Sequence, residues 1–320
     1  MNKVGIIGTG AYGLALATVC HNNNHEVICY TKFKEEFEML TKYCEHKTSL
    51  PGIIIPNEIT ITMDFNEIMT CDLIIVAVPI SSINEISQKI KEYDYSNKYF
   101  CFVSKGIEQQ TNLLVHEIFL KHVKTDNIAI ISGPSFAIDV IKSKPQNLTI
   151  ASLNNSTDLF IKNILCNHYF NLVSTSDLIG VELCGALKNV IAIISGIIDG
   201  LNLGESCNAI FLTKAINELK SIILSLGGKE DTIYSYAGIG DLILTCQSKT
   251  SRNYMYGYLL VENKNKAKNY LQCNTVEGIY TINSITSILK EKSINNTLVN
   301  IINEMFNTNN FNLITNYLKK

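Results

Sequence analysis

Two groups of residues in this chain are placed to do chemistry: glycines near the start, and a few charged side chains set in apolar surroundings. Gly8-Thr9-Gly10-Ala11-Tyr12-Gly13 has the spacing G-x-G-x-x-G. In such a run Gly8 allows a tight turn, Gly10 lets the backbone approach a pyrophosphate, and Gly13 lets a helix pack closely on a strand. A helix beginning there turns free N–H groups and its positive dipole end toward phosphates. The motif is weak alone. Here it stands between an apolar run at residues 4–7 and a helical pattern at 11–22, with a second strand pattern at 25–30, and that context marks a dinucleotide site. Such second strands usually end in an acid that binds the ribose 2′-hydroxyl. This one ends Cys29-Tyr30-Thr31-Lys32. Lys32 is either a solvated surface lysine or a cation for a 2′-phosphate; the second role favours NADPH, with NADH possible.

Lys188 lies in a segment, residues 179–198, that is apolar on almost every side and therefore reads as a buried helix. Burying a lysine is costly unless it is paired or its pKa falls. It either snorkels or pairs structurally, with Glu182 or another acid, or it is a proton-transfer group. Lys105 closes a strand pattern at 99–104, and ligands of open α/β sheets bind outside the carboxyl ends of strands. Gly133-Pro134-Ser135 follows another strand, so Ser135 is either a helix N-cap or a group at the ligand edge. Asp241, in Gly238-Ile239-Gly240-Asp241, has the same two readings. Ser251-Arg252-Asn253 offers a guanidinium fork to an anion, although most arginines on surfaces bind nothing.

The elements that must position these residues follow from periodicity. Strand patterns occur at 4–7, 25–30, 59–63, 72–78, 99–104, 128–132, 148–152 and 172–175, with helical patterns at 11–22, 33–44, 81–91 and 112–122. Strands apolar on both faces, alternating with helices, make a parallel sheet covered on both sides. The fold class is α/β: a Rossmann-like doubly wound sheet followed by an all-helical C-terminal domain, divided as 1–177 and 178–320. Helical patterns in the second part run at 179–199, 207–226, 232–236, 255–261, 276–290 and 296–306.

Composition excludes several classes. The net charge of −2 provides no basic field for nucleic acid. The ten cysteines form no C-x-x-C pair, so no zinc site is expected, and His21 and His25 flank an asparagine-rich helix end rather than a metal-binding helix. Free thiols with no signal peptide ahead of the first strand point to the cytoplasm. Apolar runs such as 190–194 are too short to span a bilayer.

Together the segments GTGAYG (8–13), SKGIE (104–108), SGPSFAIDV (132–140), IGVELCGALKNVIAI (179–193), AGIGDLILTC (237–246), SRN (251–253) and VEG (276–278) resemble the bacterial type of NAD(P)-dependent glycerol-3-phosphate dehydrogenase over nearly the whole chain. The resemblance implies interconversion of dihydroxyacetone phosphate and sn-glycerol 3-phosphate, serving phospholipid synthesis, by a chain that is often a homodimer. It implies Lys188 as proton acceptor or donor, and Lys105, Gly133, Ser135 and Asp241 as residues lining the substrate. Ser251, Arg252 and Asn253 correspond to the segment around the substrate phosphate, and Ala11, Tyr12, Lys32, Lys105, Ala137, Arg252, Thr275 and Glu277 to cofactor contacts. Two positions depart from the family pattern: no arginine follows Gly278 in the run Ile279-Tyr280-Thr281-Ile282, and the family's T-R-G reads Thr213-Lys214-Ala215. The alternatives are a related two-domain dehydrogenase for a β-hydroxyacid or ketopantoate, and a catalytically silent NADP(H)-binding sensor.

Overall fold

The structure is a computed structural model describing residues 1–319. The chain forms two compact units, Met1–Ser104 with Val115–Leu178, and Lys105–Leu114 with Ile179–Lys320. A continuous division after residue 177 misses one exchange: the stretch after the fifth strand leaves the sheet and packs with the helical unit. Its Ile107 and Leu114 belong to that unit's core, which keeps their apolar side chains out of water.

In the first unit the order is β1 (Lys3–Ile7), α1 (Ala11–Asn22), β2 (Glu26–Tyr30), α2 (Lys34–Tyr43), β3 (Thr60–Thr62), α3 (Phe65–Ile68), β4 (Leu73–Val76), α4 (Ile83–Lys91) and β5 (Tyr99–Phe102). After the excursion come α5 (Val115–His122), β6 (Ile128–Ser132), α6 (Ala137–Ile141), β7 (Gln146–Ser152), α7 (Asn155–Leu165) and β8 (Phe170–Thr175). The eight strands form one sheet in the order β3-β2-β1-β4-β5-β6-β7-β8. The first six run parallel, as expected from Val/Ile-rich strands buried on both faces. β7 runs antiparallel to β6, and β8 parallel to β7. A parallel return needs a crossover helix about as long as the sheet is deep. α6 has only five residues, so the chain turns back instead. The order of the strands reverses between β1 and β4, the switch point where such sheets bind ligands.

The second unit is helical among the described residues: α8 (Leu178–Gly200), α9 (Glu205–Ser225), α10 (Asp241–Gln247), α11 (Arg252–Glu262), α12 (Lys264–Cys273), α13 (Glu277–Glu291), α14 (Thr297–Thr308) and α15 (Leu313–Lys319). The 232–236 pattern is a 3₁₀ turn over Glu230–Tyr234. α8 is long and apolar enough to cross a membrane, longer than the short runs read from the sequence, yet that window is entirely buried in the protein. It is the central helix of this unit's core, packed by α9, α11, α13 and α14. α8 and α11 cross at glycines. A Cβ on Gly257 would stand 1.9 Å from the Ile193 carbonyl oxygen, and one on Gly196 2.0 Å from that of Tyr254. Only hydrogen at both positions permits this backbone contact.

Candidate functional site

In the first unit the glycine motif forms the turn from β1 into α1. Gly8 has φ +110°, a conformation that side-chain-bearing residues avoid. A Cβ on Gly13 would lie 2.1 Å from the Gly8 carbonyl oxygen, so this glycine is required by packing. Gly10 is different: a Cβ there would meet nothing within 4 Å. It is the N-cap of α1, and no side chain caps the helix. An open backbone position at a helix N-terminus on the switch point fits a pyrophosphate. The residues present therefore suit a dinucleotide.

Other expected groups lie on the same unit. Gly133 follows β6, and a Cβ there would press on Leu148 at 2.9 Å. Ser135 is not the N-cap of α6, a place taken by Phe136. Its hydroxyl instead shares a hydrogen bond of 2.7 Å with the Tyr12 hydroxyl. Ala137 opens α6. Lys32, just past β2, is half-exposed and pairs with Glu85 at 2.9 Å. Sequence reasoning found no acid at the end of β2 and missed that α2 supplies one. Glu36 accepts hydrogen bonds from the hydroxyls of Thr9, in the glycine turn, and Thr31. A Thr after each strand and a Glu in the first turn of the next helix was the available signal.

In the second unit the structure brings Lys188, Lys105 and Asp241 together. Lys188 comes from the middle of α8, Asp241 from the first turn of α10, and Lys105 from the segment that left the sheet. Asp241 is not a helix cap: Gly240 holds that position. One Asp241 oxygen, Oδ1, accepts a hydrogen bond from Lys188, and Oδ2 accepts one of 2.6 Å from Lys105. Lys188 also donates to Thr245 Oγ1 at 3.0 Å, while Thr245 spends its own proton on the Asp241 carbonyl. The partners of Lys188 are thus Asp241 and Thr245, not Glu182. Thr245, one turn after Asp241, was not singled out from sequence, although its spacing places it on the same helix face.

Two members of the cluster are buried, Asp241 at 1% exposed and Lys188 at 7%, while Lys105 is half-buried. The Lys188 ammonium is lowered to about 8: burial is the main cause and the adjacent Lys105 adds to it, while Asp241 acts in the opposite direction. Burial alone would raise the Asp241 carboxyl, but the two ammonium neighbours outweigh it and hold the carboxyl below its usual range. One ionised carboxylate between two amines leaves the cluster net positive, with one amine able to change protonation near neutral pH.

Beside it lies a second polar group. Asn253 donates to the Asn189 side-chain oxygen at 3.0 Å and accepts from the Gly278 backbone N–H at 2.9 Å. Asn189 donates in turn to Glu277 at 3.3 Å. This network ties α8, α11 and α13 together immediately after Lys188. Burial raises the Glu277 carboxyl, opposed by Arg252, Lys105 and Lys188. Ser251 caps α11 by accepting from the Tyr254 N–H. Arg252 follows it and is exposed, as is Thr275. Among the described residues no cluster of three or more His, Cys, Asp or Glu is arranged to hold a metal.

A Rossmann sheet with an uncapped glycine turn, together with a helical unit carrying a buried lysine on an aspartate, is the build of a two-domain nicotinamide-dependent dehydrogenase. Residues 3–158 match the family described as NAD-dependent glycerol-3-phosphate dehydrogenase N-terminus, and residues 177–312 match its C-terminus. Among its relatives, the chain is 36% identical over 307 residues to the glycerol-3-phosphate dehydrogenase [NAD(P)+] of Fusobacterium nucleatum, covering 95% of this chain and 92% of that protein. It is 33% identical over 310 residues to the Staphylococcus epidermidis protein of the same name, covering 95% and 93%. The solved glycerol-3-phosphate dehydrogenase of Coxiella burnetii superposes with a TM-score of 0.93 at 26% identity, covering 100% of this chain and 99% of that one. The chain belongs to the NAD(P)-dependent glycerol-3-phosphate dehydrogenase family, which sets aside the β-hydroxyacid and ketopantoate reading.

Proposed function

We propose that the chain reduces dihydroxyacetone phosphate to sn-glycerol 3-phosphate, with NADPH favoured over NADH, and so supplies glycerol 3-phosphate for phospholipid synthesis. The first unit, with Gly8, Gly10, Ala11, Tyr12, Gly13, Lys32 and Ala137, holds the coenzyme, and Gly133 and Ser135 line the substrate. The helical unit carries the proton-transfer group and the phosphate contacts. The observation that carries this reading is the buried cluster in which Asp241 holds Lys188 and Lys105.

When bound, the nicotinamide supplies or accepts the hydride. The residues of the chain manage charge and protons. As a ketone is reduced, its oxygen becomes an alkoxide, and a desolvated ammonium stabilises that charge strongly. Lys188 donates its Nζ proton to that oxygen, and in the oxidative direction its neutral amine takes the proton back. Asp241 stays ionised throughout and prevents the two amines from repelling each other apart. Thr245 can only accept from Lys188, because its proton is already given to a carbonyl, and this fixes where Nζ points. Lys105 adds a second positive charge. Arg252, exposed at the start of α11, grips the substrate phosphate with the capped helix end behind it, and that binding energy positions the reacting carbon. Thr275 and Glu277 complete the coenzyme contacts.

The phosphate part of this reading is tested by comparing dihydroxyacetone phosphate with dihydroxyacetone. Turnover is expected with the first and a loss of about 10³-fold in kcat/KM or more with the second, most of it also lost in Arg252→Ala. Equal rates with the two substrates would refute the assignment.

A further inference from the structure

The chain beyond β2 carries an unusual arrangement of charge. Lys32 is not alone: its ammonium is held by Glu85, from the first turn of α4, at 2.9 Å. Lys89, one turn further along α4, is committed elsewhere, lying over the Phe65 ring at 4.3 Å and 3.5 Å from the Tyr30 hydroxyl. Lys34, the next cation in the chain, pairs with Glu38. A second carboxylate, Glu36, stands at the same strand ends, held by Thr9 and Thr31 with His46 on its other oxygen. The cation available for a 2′-phosphate is thus neutralised before any coenzyme arrives.

We propose that Glu85 is a coenzyme-specificity residue that restrains the use of NADPH and keeps NADH acceptable. The proposal rests on the reading of Lys32 as the cation for the 2′-phosphate. That phosphate carries close to two negative charges. To reach Lys32 it must displace the Glu85 carboxylate or settle roughly 6 Å from a like charge, and Coulomb repulsion at that range in a solvated site costs about fivefold in affinity. The 2′-hydroxyl of NADH is neutral and meets no such opposition. The Lys32–Glu85 pair is partly exposed, at 47% and 62%, so it contributes little to folding and its substitution leaves the protein intact.

The experiment measures binding of adenosine 2′,5′-bisphosphate and of 5′-AMP by calorimetry, alongside kcat/KM for NADPH and NADH, in four variants of the full chain. In Glu85→Gln the ratio of affinities, bisphosphate over AMP, rises about fivefold, and the NADPH/NADH ratio rises with it. Glu85→Asp keeps the charge and stays near the parent ratio. Lys32→Ala lowers the ratio, and adding Glu85→Gln to Lys32→Ala recovers part of the loss, because the repelling carboxylate is gone while the cation is still missing. A ratio that falls in Lys32→Ala but does not rise in Glu85→Gln overturns the role of Glu85. A ratio unmoved in Lys32→Ala overturns the reading of Lys32 on which it rests, and the role of Glu85 with it.

Discussion

The proposed proton transfer rests on Lys188, and the surroundings of Lys188 set its pKa. In water a lysine amine stays protonated across the physiological range and gives up its proton poorly. Burial in α8 brings it to about 8, while Asp241 keeps it from falling further. The sign of the pH dependence follows. Reduction needs the ammonium, so kcat/KM for reduction should hold below about pH 8 and fall tenfold per unit above it, while oxidation rises over the same range to a plateau. Asp241→Asn removes the charge that raises the amine's pKa. The break in the reductive profile should then move to lower pH as the rate drops, and a break that stays in place or moves up would show that Lys188 is not the titrating group. The residues of this cluster were legible from types and positions: a lysine in an apolar helix, a lysine at a strand end, an aspartate after paired glycines. Their mutual contacts were not. Asp241 lies 53 residues from Lys188, and only the fold reveals that it is the partner rather than Glu182, less than two turns away on the same helix.

At the level of elements, the helices that hold these groups must not shift. α8 bears Lys188 and Asn189, and α11 bears Arg252 and Asn253, and the two touch backbone to backbone at Gly196 and Gly257. Gly257→Ala inserts a methyl 1.9 Å from the Ile193 carbonyl oxygen, so the helices must part. Such overpacking costs about 3 kcal/mol. Chemical denaturation should register the loss, and unchanged stability would mean that the crossing is looser than its geometry implies. The strands and the strongly periodic helices could be read directly, because apolar runs and helical spacing leave clear signatures. α7 could not: it opens with Asn154-Asn155-Ser156-Thr157, which reads as a turn until Asn154 is seen capping the helix through the Thr157 N–H. α12 buries only Ala267, so no apolar stripe announces it. The antiparallel turn at β7 depends on the length of α6, which its five residues conceal among loop-like neighbours.

For the whole molecule, each unit has its own core. The chain order is nearly, but not wholly, the order of the units, because Lys105–Leu114 is lent by the strand region to the helical unit. That loan brings Lys105 to Asp241, so a continuous division read from periodicity misplaces one of the two lysines. The departures from the family pattern have a local account in one case: Lys214 donates to the Tyr317 carbonyl oxygen at 2.9 Å and lies against that ring, tying α9 to α15. The run Ile279-Tyr280-Thr281-Ile282, the other departure, has no explanation in the structure. The proposed reaction depends on the Lys188 cluster working with a nicotinamide coenzyme. Its most direct test is NADPH and NADH oxidation by the purified full chain on addition of dihydroxyacetone phosphate, beside Lys188→Ala. Turnover in the parent and a fall of about 10³-fold in kcat in the variant, with coenzyme affinity retained, is the expected result. No turnover with either coenzyme, or a variant that works at the parent rate, would contradict it.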